Sequence, residues 1–334
     1  MQNNLNNVAF RQFSLFLLKW IAPVLILWLV VRSLQEKQQD LGQVLTLLQQ
    51  AFSGKNGGWL ILTLLLTAVN WSIEALKWQA LARKLEPVPF ATALKGVLAG
   101  QSLGFVSQAN LGDMAGKMGY LSARNRLDSI GAFLLGSTIQ FLVTLFAGTV
   151  AYTFFLLRIT AGWGHWAVLA ALWIACLVTF WLLSLRGRAA PLLERVSWLA
   201  SSARFFRILE TYSRRDVGYV TALASLRFLT YSMQFLLVLS GFGIGLPVTD
   251  QLTVVWLLFL TKSIIPAFSF LSDLGIRTFS TVYFFGFYDV NPALVTSASL
   301  MVWLVNILIP VLVGIVFVVQ LRYFRANPAA DEPA

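Results

Sequence analysis

Residues 252 to 288 read LTVVWLLFLTKSIIPAFSFLSDLGIRTFSTVYFFGFY, an apolar stretch of membrane grade that is interrupted midway by Pro266 and then by Ser272, Asp273 and Arg277. A charge at that depth costs several kcal/mol unless it is paired or borders water, so such residues are kept mainly where a pathway or binding site needs them. The stretch implies a chain that handles something inside a bilayer.

The remainder fits that setting. Of 334 residues 58% are hydrophobic and 12% charged, with a mean hydropathy of +0.74. The only long polar stretches, 32–58 and 186–216, are too short to build cores of their own. A single integral membrane domain over 1–334 is therefore expected, with 326–334 as a disordered tail. One cysteine, Cys176, rules out an intrachain disulfide and a cysteine metal cluster, and it reads as a small buried side chain. One histidine, His165, rules out multi-histidine metal sites and reads as interfacial. Neither a metal nor a cofactor is expected.

Six apolar runs are long enough to cross roughly 30 Å of hydrocarbon: Phe13 to Val31, Trp59 to Leu81, Ser129 to Leu157, Trp163 to Leu185, Val217 to Gly241 and Pro292 to Leu321. The first follows a polar segment, MQNNLNN, and has no small-residue cleavage pattern behind it, so it reads as a retained helix. Two further stretches, Ala91 to Tyr120 and Leu252 to Tyr288, are apolar but carry Gly, Ser, Pro and charge. Each reads as a broken helical hairpin. The fold class is all-α and polytopic, with about six full crossings and two broken or re-entrant hairpins.

Basic residues orient these runs. With the N-terminus inside, the inner loops hold fourteen Lys and Arg, seven of them between 186 and 216, whereas the outer loops hold four: Arg32, Lys37, Lys55 and Arg158. Both termini are expected in the cytoplasm, in a bacterial inner membrane. The net charge of +11 is this inner-face bias, and no soluble basic domain exists that would bind nucleic acid. The first broken stretch must then enter from the inner face and return there, either as a re-entrant hairpin or as two full crossings. The second must do the same from the outer face. Oppositely oriented broken segments are the usual pointer to a transport site, because non-helical backbone is tolerated at that depth only inside protein or beside a wet cavity.

The two dips resemble each other. Asn110-Leu111-Gly112 matches Asp273-Leu274-Gly275, with Phe105 and Phe268 each five residues ahead. Asp113 with Lys117, and Asp273 with Arg277, are acid and base four apart and share one helical face. The two matches imply offsets of 163 and 160 residues, so an inverted repeat is suggested but its register is not fixed. The plainer reading is that Gly and Ser permit close helix packing and that the ion pairs only neutralise each other.

Other charges sit within the spans. Glu74 and Lys77, three apart near an inner end, read as a structural pair whose lysine snorkels to the interface. Arg227 and Lys262 lie too deep to snorkel and suit an anionic head group. Pro23, Asn306 and Pro310 read as kink positions. Within 186–216, Leu192, Val196, Leu199, Ala203 and Phe206 recur at three and four among arginines, the pattern of an interfacial helix on anionic lipid, or else of an ordinary linker.

The runs NLGDMAGKMGYLSARNR and SDLGIRTFSTVYFF, each followed by a long span, resemble the transmembrane region of lysylphosphatidylglycerol synthases and their stand-alone flippase-like relatives. The family's first motif of Gly, acid and base maps onto Gly112, Asp113 and Lys117, with the base one residue late. Its second, a Pro-Gly-Gly-Leu-Gly turn followed by a base and Glu, is kept at Leu274, Gly275 and Arg277. Leu271, Ser272 and Asp273 replace turn residues, and Thr278 stands at the Glu position. The resemblance implies a membrane protein that moves or presents a phospholipid or lipid-linked amphiphile. The synthases' aminoacyl-transferase domain is not in this sequence, and no P-loop, HExxH or Ser-His-Asp set is visible, so an enzyme is not expected. The head-group candidates are Asn110, Asp113, Lys117, Lys262, Asp273 and Arg277, with Glu74, Lys77 and Arg227 secondary. The partner is an anionic membrane lipid, and oligomeric state is left open. The alternative is a membrane-embedded transferase with Glu36 or Asp40 as its acid. A third reading is a non-catalytic assembly partner whose dip residues are dispensable.

Overall fold

The computed structural model describes residues 46, 58–107, 111–159, 162–185, 207–265 and 270–321. The expected first span, Pro23, Glu36, Asp40, Asn110, Pro266, Phe268, the stretch 186–206 and the tail 326–334 lie outside them. The described elements are helical throughout: α1 (Gly58–Ala82), α2 (Phe90–Val106), α3 (Leu111–Met118), α4 (Ser129–Leu156), α5 (Trp163–Ser184), α6 (Arg214–Gly241), α7 (Val248–Ile264), α8 (Phe270–Gly286), and a final pair, α9 (Pro292–Trp303) and α10 (Ile309–Val318). Five of the expected crossings are present as helices long and apolar enough to span, α1, α4, α5, α6 and the continuous run Leu294–Val318. The protein is an all-α, multi-pass membrane protein.

Both broken stretches form helical hairpins. In the first, α2 has 17 residues, about 25 Å, but its return arm α3 has only 8, about 12 Å. That arm is far too short to cross, so the first dip is re-entrant. Ser107 Oγ accepts the Gly112 N–H (2.7 Å) and satisfies one of the amides exposed at the start of α3. The two arms press backbone to backbone: a Cβ on Gly116 would overlap Gly100, and one on Gly112 would overlap the Leu103 carbonyl. At the feet of the hairpin Glu86 accepts from the Ser122 N–H (3.1 Å) and from Asn125 Nδ2 (2.7 Å), tying entry to exit. In the second dip α7 and α8 have 17 residues each, so both arms run deep.

The final helix bends where its sequence requires it. Pro310 lacks the N–H that the Asn306 carbonyl would receive in a regular helix, and a wide π turn over Leu304–Leu308 precedes it. Trp71 Nε1 donates to that carbonyl instead (3.1 Å), and Asn70 Nδ2 donates to the Asn306 side chain (3.1 Å), so the kink docks onto α1. Below it Gly314 lets α10 cross α2 in contact with Leu98 and Ser102, whose hydroxyl donates to the Val311 carbonyl (2.6 Å).

Apolar packing falls into two main clusters. One surrounds the first dip (Trp71, Trp78, Leu81, Val97, Leu121, Phe133 and Ile139), and the other gathers the second dip with α6 and α9 (Phe235, Val254, Leu258, Phe259, Phe285 and Met301). Helix α5 stands apart: its most apolar 18 residues are 11% buried, against 44–56% in the other four spans. Its exposed Ile174, Leu177, Phe180 and Trp181 make a lipid-facing surface.

Candidate functional site

Between the two clusters lies a cavity of about 660 Å³ to which both dips contribute. From the first come Gln101, Ser107, Asp113 and Lys117, and from the second Lys262, Ser263 and Asp273. Asn70, Glu74 and Lys77 enter from α1, Ser137, Gln140 and Thr144 from α4, and Arg227 and Tyr231 from α6. Apolar walls are supplied by Phe105, Phe133, Phe141, Phe259 and Trp303.

Helix periodicity explains the convergence. On α1 the spacing of four and then three puts Asn70, Glu74 and Lys77 on one face. On α4, Ser137, Gln140 and Thr144 form a polar stripe at three and four in a span that has no charge at all. In both dips the acid, Asp113 or Asp273, sits in the first turn of the return arm, where it complements the positive end of the helix dipole.

Glu74 is the hub. Its carboxylate meets Lys77 Nζ at 2.6 Å, Lys117 Nζ at 2.8 Å and an Arg227 guanidinium nitrogen at 3.3 Å, three cations from three separate elements. Lys117 also holds Asp113 (2.9 Å) and lies 5.2 Å from the Phe133 ring centre, while Arg227 stacks 5.3 Å from that of Trp71. Across the cavity Asp273 bridges the arms of the second dip: Lys262 of α7 lies 2.9 Å away and Arg277 of α8 lies 3.8 Å away. Arg277 is fully buried and donates to the Tyr231 hydroxyl (2.9 Å).

Of the residues expected from sequence, Asp113, Lys117, Lys262 and Asp273 all line this one cavity, and Arg277 stands directly behind it. The secondary candidates Glu74, Lys77 and Arg227 are central to it. Lys77 does not snorkel: its side chain is 5% exposed and turns inward to Glu74 and to Gln140 Oε1 (3.1 Å). Asp273 is closer to Lys262 than to Arg277, so the acid and base four apart are not a self-contained pair. The likeness of the dips is also partial, because Gly112 is wedged against backbone whereas no described atom lies within 4 Å of a Cβ at Gly275. Asn70, Gln101, Gln140 and Tyr231 were not anticipated. The α4 stripe is a signal that would have found Gln140.

Counting Arg277, the ionisable side chains here are five cations and three carboxylates, a formal excess of two positive charges in a low-dielectric setting. Such an arrangement attracts an anion, and its aromatic walls suit an adjoining apolar moiety.

The family model for the lysylphosphatidylglycerol synthase TM region matches residues 16–314. No curated protein and no solved structure gave a significant match. With nine-tenths of its length covered by that match, the chain belongs to the lysylphosphatidylglycerol synthase transmembrane-region family.

Proposed function

We propose that the protein is flippase-like: it takes the anionic head group of a phospholipid or lipid-linked amphiphile into the cavity between its two dips and translocates or presents it across a bacterial inner membrane. The observation that carries this reading is the cation excess assembled from both dips and two spans, α1 and α6, around one polar cavity. Arg227 and Lys262 are the cations to capture the head group, since their side chains are 24% and 34% exposed whereas Lys77, Lys117 and Arg277 are buried. Acyl chains remain in the surrounding lipid, so only the polar moiety needs shelter from hydrocarbon.

The test is reconstitution in vesicles with a fluorescent phosphatidylglycerol, scored by its accessibility to a membrane-impermeant quencher. Arg227→Gln with Lys262→Gln is expected to slow appearance in the opposite leaflet at least about tenfold, the effect of losing about 1.4 kcal/mol of charge-assisted binding. An unchanged rate would reject the cavity as the head-group site.

Orientation follows from the basic residues. Single cysteines at Ser201 and Asn291, in a background without Cys176, should respond oppositely to an impermeant thiol reagent applied to intact cells. Labelling is expected at Asn291→Cys alone. Labelling of Ser201→Cys from outside would reverse the proposed topology.

A further inference from the structure

Glu74 is 5% exposed, yet its carboxylate neutralises cations that an entering anion also needs. Its stretch of helix is anchored, because Trp71 one turn before it is tied to the Asn306 carbonyl and Trp78 one turn after it is buried in the core, and the carboxylate itself is held by three cations. Two full negative charges a few ångströms apart in this setting repel strongly. The relief open to a carboxylate fixed in place is to accept a proton.

We propose that Glu74 is the resident counter-ion of the cavity, and that it takes up one proton when an anionic head group binds. This rests on the head-group reading given above. The step balances simply: a proton from water joins a Glu74 carboxylate oxygen as one negative charge enters, so the charge of the cavity is unchanged.

The charged groups facing Glu74 are Lys77 on its own helix, Lys117 with Asp113 behind it on α3, and Arg227 on α6. Helices α4, α9 and α10 carry no charged residue, and Lys95, the single charge of α2, does not line the cavity. Lys262 and Asp273 lie on the far wall. Among these groups Glu74 is the carboxylate that shares its oxygens among three cations, and one of them is Arg227, the head-group cation on its side of the cavity.

Binding of short-chain phosphatidylglycerol to the purified full chain in detergent tests this, because a phosphodiester does not itself titrate near neutral pH. Calorimetry in two buffers of different protonation enthalpy should give about one proton taken up per lipid, with affinity weakening by up to about tenfold per pH unit as pH rises. Glu74→Gln should bind with no proton uptake and no such pH dependence, and Lys77→Arg should retain uptake. Binding by the unmodified protein without proton uptake overturns the inference while leaving the head-group site standing, and that result does not depend on whether any variant folds. Uptake that persists in Glu74→Gln, or disappears in Lys77→Arg, likewise overturns it. Absence of binding from about pH 5 to pH 8 removes the head-group reading and this inference together.

Discussion

Gly116→Ala is expected to cost the protein its first dip, whereas Gly275→Ala is expected to leave stability unchanged or slightly raised. The two glycines follow comparable acids in comparable return arms, but their surroundings differ. At Gly116 a Cβ would overlap the backbone nitrogen and Cα of Gly100, and backbone in a packed hairpin has nowhere to go. Overpacking of a core costs about 1–3 kcal/mol, and more when main chain rather than a flexible side chain must yield. Gly112→Ala meets the same obstacle at the Leu103 carbonyl. At Gly275 no described atom lies within 4 Å of the added methyl, and alanine favours the helix by up to about 1 kcal/mol over glycine. Melting temperatures of the detergent-purified proteins, read by fluorescence-detected size exclusion, should fall sharply for the Gly112 and Gly116 variants alone. Equal damage at Gly275 would show that the two dips are packed alike and would restore the stricter form of the repeat.

That contrast shows where sequence stops being sufficient. Apolar run length disclosed the five crossings among the described residues because hydrocarbon thickness and backbone hydrogen bonding leave few alternatives. Interruptions by Ser, Pro and charge disclosed the hairpins at 91–120 and 252–288, and α3 settled the first as re-entrant by being only 8 residues long. Partner choice was less legible. The spacing Asp273-Arg277 suggested a closed pair, but helical spacing says only that two side chains share a face, and Lys262, across the break in the same hairpin, comes closer. Glu74 and Lys77 looked like a local pair near an interface for the same reason, because nothing local indicates that Lys117 and Arg227 converge on that carboxylate from elements 43 and 153 positions away. The neutral members Asn70, Gln140 and Tyr231 are hardest to see, since a single amide or phenol in an apolar span is as compatible with helix packing as with a site.

Replacing Asp273 with Leu and Arg277 with Met together is expected to give a folded, inserted protein that no longer translocates an anionic lipid. The energetics order the variants. Asp273→Leu alone strands the Arg277 guanidinium, which is fully buried, and breaking a buried pair from one side costs about 3–5 kcal/mol. Arg277→Met alone is milder, because Asp273 keeps Lys262 at 2.9 Å. The double replacement removes both ends of the buried contact, and exchange of such a pair for apolar side chains is often neutral or stabilising. Lys262 loses its acid, but its side chain is 34% exposed and can be hydrated from the cavity; Tyr231, also only partly buried, can do the same. Stability should therefore run from unmodified and double variant, nearly equal, through Arg277→Met to Asp273→Leu as the weakest. Activity should not follow that order. In the double variant α7 and α8 lose the bridge between Lys262 and Asp273 that shapes one wall of the cavity, so quencher assays in vesicles should show the labelled lipid staying in its original leaflet. Translocation at the unmodified rate would take these two residues out of the site and leave them a purely structural role.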